Sequence, residues 1–209
     1  MCWSVRGGAG VSVVSAALAV AARAEALLVD LDGALPTLLG IDEPEGPGLA
    51  EWMAAPAEVP ADALARLEVP VAPGLSLLPR GHAPLDGARV PVLVDLLGAD
   101  PRAVVVDAGR LDAAEVRLAF ARAADRSIVV CPSCPLALRH HAELDPAPSA
   151  AIVVRGSRRA LGWRAVGERL GVPVLAELRT DPAVGAAVDA GLRAKPFPRS
   201  FLKALEGIA

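Results

Sequence analysis

The stretch Val5-Arg6-Gly7-Gly8-Ala9-Gly10-Val11-Ser12 places three glycines in four positions, after a short apolar start and before the uncharged residues 13–22. A strand that turns this tightly and feeds straight into a helix leaves backbone N–H groups and the positive end of the helix dipole facing one point, which favours a phosphate. The full chemistry of such a loop also needs a lysine for the β- and γ-phosphates and a Ser or Thr hydroxyl for Mg²⁺. Ser12 supplies the hydroxyl, whereas Val11 stands where the lysine belongs and the first lysine of the chain is Lys195. The shape of the loop is kept and its charge is missing.

Around this loop the chain alternates. Short apolar runs at 26–30, 75–78, 103–107, 127–131, 150–155 and 173–178 are rich in Val, Ile and Leu without polar alternation, the pattern of strands buried on both faces. Helix-compatible segments at 12–23, 89–97, 113–124, 136–144, 161–170 and 183–191 lie between most of them. The spacing predicts an α/β fold: a doubly wound, mostly parallel sheet with helices on both faces. A ligand then sits beyond the C-terminal ends of the strands, where residues 7–12, Asp30, Asp32 and Asp107 converge.

The bulk properties agree with one domain over residues 1–209. With 54% hydrophobic and 22% charged residues the chain can bury a sizeable core. A net charge of −3 with scattered arginines leaves no concentrated footprint for nucleic acid. Residues 7–22 are too short and too glycine-rich to span a bilayer, and the glycines ahead of the apolar run fit a strand, loop and helix better than a secretory leader. The expectation is a cytoplasmic protein. Residues 41–71, with prolines at 44, 47, 56, 60 and 70, read as an irregular surface excursion with a helical piece at 49–54. Trp52 and Met53 in that piece read as packed on the body, with a partner-anchoring role as the second reading. At the C-terminus, Phe201, Leu202, Leu205 and Ile208 fall on one helical face, which predicts a last helix docked on the core, with membrane contact at most peripheral.

Arg6-Gly7-Gly8-Ala9-Gly10-Val11-Ser12 resembles the deviant Walker A motif of the ParA/MinD superfamily, Lys-Gly-Gly-x-Gly-Lys-Ser/Thr, with Arg6 and Val11 in place of its two lysines. The nearest form is that of the CpaE/TadZ-like and septum-site-determining-like branch, where Gly-Gly-Ala-Gly-Ala-Ser is common. Leu27-Leu28-Val29-Asp30-Leu31-Asp32, followed by Leu38-Leu39-Gly40, resembles that family's strand ending in Asp-x-Asp, and residues 103–109 resemble its Walker B strand. Gly171-Val172-Pro173-Val174-Leu175, Asp181-Pro182-Ala183-Val184 and Ala190-Gly191 resemble the last strand and following helix, so the likeness covers nearly the whole chain.

The resemblance implies a P-loop NTPase-like fold of the MinD type, with ATP and Mg²⁺ as the ligands. Residues Arg6 to Ser12 would cradle the phosphates, and Ser12, Asp30 and Asp107 would surround Mg²⁺ where nucleotide binds. Asp32 would position the attacking water, and Arg6 would reach a phosphate across a homodimer. With Val11 in the loop, ATP hydrolysis is expected to be absent or very slow. No Asn follows the sixth strand to read adenine; Val154-Arg155-Gly156 stands there. Two functions follow from the likeness. One is a scaffold that positions a pilus or secretion machine of the Tad type or a division site, recruited to membrane or cell pole through partners. The other is a working ATPase switch that positions or partitions cargo. A dimer without bridging nucleotide would draw on protein contacts, with Leu49, Trp52 and Met53 as the nearest candidates.

Cys131-Pro132-Ser133-Cys134 has the spacing of a redox pair, and with His140 or His141 it would offer metal ligands. Neither reading gains support elsewhere in the sequence, where Cys2 is the remaining thiol, and small residues filling a turn are the simpler account.

Overall fold

The computed structural model describes residues 1–56, 60–111, 115–135, 138, 146–156 and 161–208. Among these residues eight strands form one sheet in the order β3-β4-β2-β5-β1-β6-β7-β8. They are β1 (Cys2–Ser4), β2 (Ala26–Asp30), β3 (Val69–Ala72), β4 (Leu75–Leu78), β5 (Ala103–Arg110), β6 (Ile128–Pro132), β7 (Ala150–Arg155) and β8 (Val174–Arg179). All neighbouring pairs are parallel except β3 with β4. The helices described are α1 (Val11–Ala21), α2 (Leu35–Leu39), α3 (Leu49–Ala54), α4 (Val90–Gly98), α5 (Glu115–Ala123), α6 (Trp163–Leu170), α7 (Pro182–Ala190) and α8 (Arg199–Lys203).

The doubly wound sheet expected from the alternation is present. Successive side chains of a strand point to opposite faces. Leu28 accordingly joins one core with Leu77, Val105, Val130 and Ile152, while Leu27 and Val29 join the other with Trp3, Leu78, Val106 and Val129. The first core carries α1, α2 and α7, and the second carries α3, α4, α5 and α6. Ala16 and Ala17 of α1 are fully buried and let that helix lie close over β5. The expected helix over 136–144 falls mostly outside the described residues; Leu138 is buried in the second core.

One feature of the excursion differs from the sequence reading, and another follows its first alternative, with Trp52 and Met53 packed on the body. Residues 69–72 form β3, an edge strand antiparallel to β4; an edge position tolerates Pro70 because one side of the strand needs no N–H partner. Leu49, Trp52 and Met53, the candidates for contact between two copies, lie in the second core with 0%, 4% and 1% exposure. The Arg89 guanidinium covers the Trp52 ring at 3.8 Å and donates to Trp52 O at 3.0 Å. Trp52 therefore packs on the body, and the partner-anchor reading is set aside.

Glu51 fastens this segment. Its carboxylate accepts from Gly48 N at 2.7 Å and from His82 N and Ala83 N at 2.8 Å each. Partial burial opposes its charge, but those N–H groups outweigh it and hold the carboxyl at about 2. Gly48 approaches Gly81 so closely that a Cβ on Gly48 would run into the Gly81 backbone.

At the other end of the chain α8 and the turns after it cover the first core. Leu205 is fully buried, Phe201, Leu202 and Ile208 pack beside it, and the Phe197 and Phe201 rings lie 5.3 Å apart. Among the described residues no helix is long and apolar enough to cross a membrane.

Candidate phosphate-binding site

The site begins where β1 ends. The Ser4 hydroxyl donates to Arg6 O at 2.7 Å and tightens the turn out of the sheet. Gly8 (φ +75°) and Gly10 (φ +86°) adopt the left-handed region that glycine enters without strain, and Gly10 is the N-cap of α1. No side chain caps that helix, so its first-turn N–H groups are left to a ligand or water. A Cβ on Gly7, Gly8 or Gly10 would meet nothing within 4 Å. The loop glycines thus front open space, and backbone conformation is what requires them at 8 and 10.

Ala9 and Val11 turn inward. Val11 is 5% exposed and belongs to the first apolar core, so the residue at the lysine position is committed to packing. Arg6, Gly7 and Gly8 are exposed at the rim, and Ser12 is half-buried.

Parallel pairing brings the carboxylates up to this loop. Asp30 on β2 is level with Asp107 on β5, which is in turn level with Cys2 on β1. Asp107 is fully buried; its Oδ1 accepts from Gly109 N at 3.0 Å, and its Oδ2 has no hydrogen-bond partner. Burial chiefly, with the charges of Asp30 and Asp32 adding, pushes this carboxyl up to about 7 against the moderating Ser12 hydroxyl and Gly109 N–H. The Ser12 hydroxyl thus influences Asp107 without a well-formed bond to Oδ2.

Asp30, expected beside Asp107 at Mg²⁺, has both oxygens engaged by backbone. Oδ1 accepts from Asp32 N at 2.9 Å and Gly33 N at 2.6 Å, and Oδ2 from Leu35 N at 3.1 Å. Burial raises its pKa while these N–H groups pull the other way. Its evident work is to hold the turn from β2 into α2.

Asp32 projects from that turn and is partly exposed. Its Oδ1 lies 3.3 Å from Arg117 Nη2, which also donates to Leu31 O at 3.0 Å, while Arg117 Nη1 donates to Arg110 O at 3.1 Å. On the other side Asp32 packs over Gly109 (φ +58°), where a Cβ would overlap its carboxyl. Sequence reasoning did not find Arg117. It lies 85 residues from Asp32 and is one of many scattered arginines, so no local pattern marks it. Further along the sheet, Arg155 at the end of β7 pairs with Glu177 of β8 at 3.0 Å.

The orphaned, buried Asp107 Oδ2 near the Ser12 hydroxyl suits a hard cation that takes oxygen ligands. Among the described residues no three His, Cys, Asp or Glu side chains enclose a metal by themselves. Mg²⁺ held here would thus complete its shell with phosphate oxygens and water, its usual arrangement beside a nucleotide. A cavity of about 300 Å³ opens at the opposite end of the sheet, lined by Met1, Leu18, Val104, Phe120 and Ile128, and is separate from this site.

A central parallel sheet with a glycine loop at the C-terminal end of β1, and carboxylates at the ends of β2 and β5, defines a P-loop NTPase-type fold. The particular version is that of the MinD and ParA ATPases. The chain is similar to the septum site-determining protein MinD of Pyrococcus horikoshii, solved with Mg-ADP, at TM-score 0.78 and 21% identity, covering 99% of this chain and 93% of that one. It is similar to a ParA family ATPase from Chlorobium tepidum at TM-score 0.72 and 18% identity, with 97% and 94% coverage. It is also similar to a chain of the MinC:MinD cell division protein complex of Aquifex aeolicus, at TM-score 0.72 and 15% identity, with 98% and 90% coverage. No family model matches the sequence, and no curated protein matches it.

Proposed function

We propose that this chain is a member of the ParA/MinD superfamily, of the CpaE/TadZ-like and septum-site-determining-like kind. In this reading it is a localisation or assembly scaffold, cytoplasmic and dimeric, whose nucleotide binding is weak or lost. Its cargo is a pilus or secretion machine of the Tad type or a division site.

The observation that carries this reading is Val11: the loop backbone is formed, yet the lysine position is filled by an apolar side chain packed in the core. A cation about 4 Å from a phosphate oxygen is worth roughly 4 kcal/mol at an effective dielectric of 20. Its loss lowers affinity or rate by roughly a thousandfold. The Arg117–Asp32 contact supports the same reading, since the carboxylate that would position water is engaged by a guanidinium.

The second reading, an ATPase switch that positions or partitions cargo, draws on Asp107 and Ser12, whose arrangement still suits Mg²⁺. Under that reading Mg²⁺ would neutralise phosphate charge and draw it to the loop, while Ser12 and Asp107 held the ion.

Steady-state phosphate release from ATP, with and without candidate partners, separates the two. The scaffold reading expects no turnover above background. Turnover on the order of 1 per second, typical of working enzymes, would overturn it.

A further inference from the structure

Cys131-Pro132-Ser133-Cys134 takes no part in the phosphate site, yet the fold brings both cysteines onto one atom. Cys131 Sγ donates to Pro132 O at 3.3 Å, and Cys134 N donates to the same oxygen at 2.7 Å. The turn between them is pinned to the neighbouring strand by Ser133 N, which donates to Val154 O at 3.0 Å. Leu138 N donates to Cys134 O at 3.2 Å. The two cysteines are not joined to each other or to Cys2. The charge of Cys134 acts on the Cys131 thiol across this turn, and a disulfide between them asks for Cβ atoms about 3.8 Å apart.

Their surroundings differ in exposure, and the buried thiol is the slower of the two to react. Cys131 is fully buried, and burial first, with the charge of Cys134 adding, pushes its thiol up to about 11. Cys134 is half-buried and is the sulfur a reagent meets first. The place matters too. Cys2 is level with Ile128 and Trp3 with Val129, so β1 runs beside β6 up to the point where the chain leaves the sheet for the glycine loop. Val5 is the first residue of the glycine loop and packs in the core that contains Cys131.

We propose that Cys131 and Cys134 are a redox-active pair that closes to an intramolecular disulfide when it meets a small-molecule disulfide, and that the closure is felt by the adjoining loop at residues 5–10. Cys134, as thiolate, attacks one sulfur of the small disulfide; that S–S bond breaks, and one small thiol leaves with the proton Cys134 gave up. Cys131 then loses its proton and attacks Cys134 Sγ, breaking the mixed disulfide and releasing the second small thiol. The protein pair loses two electrons and two protons, and the small disulfide gains both. This inference stands apart from the scaffold reading, since no step involves nucleotide.

The test is to incubate the native protein with excess oxidised glutathione, count free thiols and map the peptides by mass. The three cysteines should fall to a single free thiol at Cys2, with residues 131 and 134 joined. Cys131→Ser should stop at a glutathione adduct on Cys134, and Cys134→Ser should leave Cys131 unreacted. Retention of all three thiols, a lasting glutathione adduct on wild-type Cys134, or a bridge to Cys2 would overturn the pair. Hydrogen exchange over residues 5–10 should change on oxidation and return with dithiothreitol; identical exchange in both states would overturn the link to the loop.

Discussion

Glu51 shows how one side chain can close an otherwise irregular segment. Three backbone N–H groups converge on its carboxylate and hold it at about 2, below the ordinary value of 4.5. A carboxyl whose folded pKa is depressed contributes stability above its unfolded pKa and loses it as pH falls through the folded one. Glu51 therefore stabilises the fold fully above about pH 4.5, and that contribution fades between there and about pH 2. Glu51→Gln should lower stability by ~2 kcal/mol near neutral pH, the scale of charged hydrogen bonds lost. The deficit should shrink in acid. Urea unfolding midpoints at several pH values read it, and a deficit that stays constant to pH 3 would show that the charge is not what holds the segment. Nothing in the sequence pointed to this clasp, because its partners at His82 and Ala83 are 31 and 32 residues away.

Between elements, the contact to test is the one where the turn after β2 meets the end of β5. Asp32 sits over Gly109, whose φ of +58° and missing Cβ make the room, and Arg117 reaches over from α5 to both sides. Gly109→Ala should destabilise by ~1–2 kcal/mol from the left-handed backbone alone, and by more because the methyl displaces the carboxyl. Combined with Asp32→Ala the damage should be less than additive, since the colliding partner is gone. Thermal or urea unfolding of the two single variants and the double variant measures the coupling; strict additivity would mean the two residues do not touch in solution. Elements of this kind differed in how well they could be read. The strands stood out because runs such as Leu27-Leu28-Val29 are buried on both faces and carry no polar alternation. Strand β3 did not, since four residues that include Pro70 look like a turn until β4 pairs with them. Helix α2, five residues long with Pro36 inside its first turn, was equally silent. The loop and the two strand-end aspartates were legible because their chemistry is local. What Asp32 contacts was not, because Gly109 and Arg117 are brought to it by chain folding, whereas Asp30's partners lie within five residues of it.

For the molecule as a whole, burial of Leu49, Trp52 and Met53 moves the question of self-association away from the excursion. Trp52→Ala should cost ~3–5 kcal/mol of folding stability, as removal of a large aromatic from a core does. Denaturant titration should show that loss, whereas light scattering should find no change in association for any fraction that stays folded. A variant of normal stability that no longer associates would restore Trp52 to an interface. Arg6, Gly7 and Gly8 are exposed at the rim of the loop, the other part of the face expected from the family likeness to meet a second copy.

The proposed function turns on a formed loop that has an apolar core residue, Val11, where a lysine would serve a phosphate. Calorimetric titration of Mg-ADP into the wild type and Val11→Lys tests it most directly. The account predicts that wild-type binding is too weak to titrate or near the millimolar range, and that Val11→Lys tightens it by up to roughly a thousandfold. Binding by the wild type with a Kd on the order of 1 μM or tighter, unchanged by Val11→Lys, would contradict it.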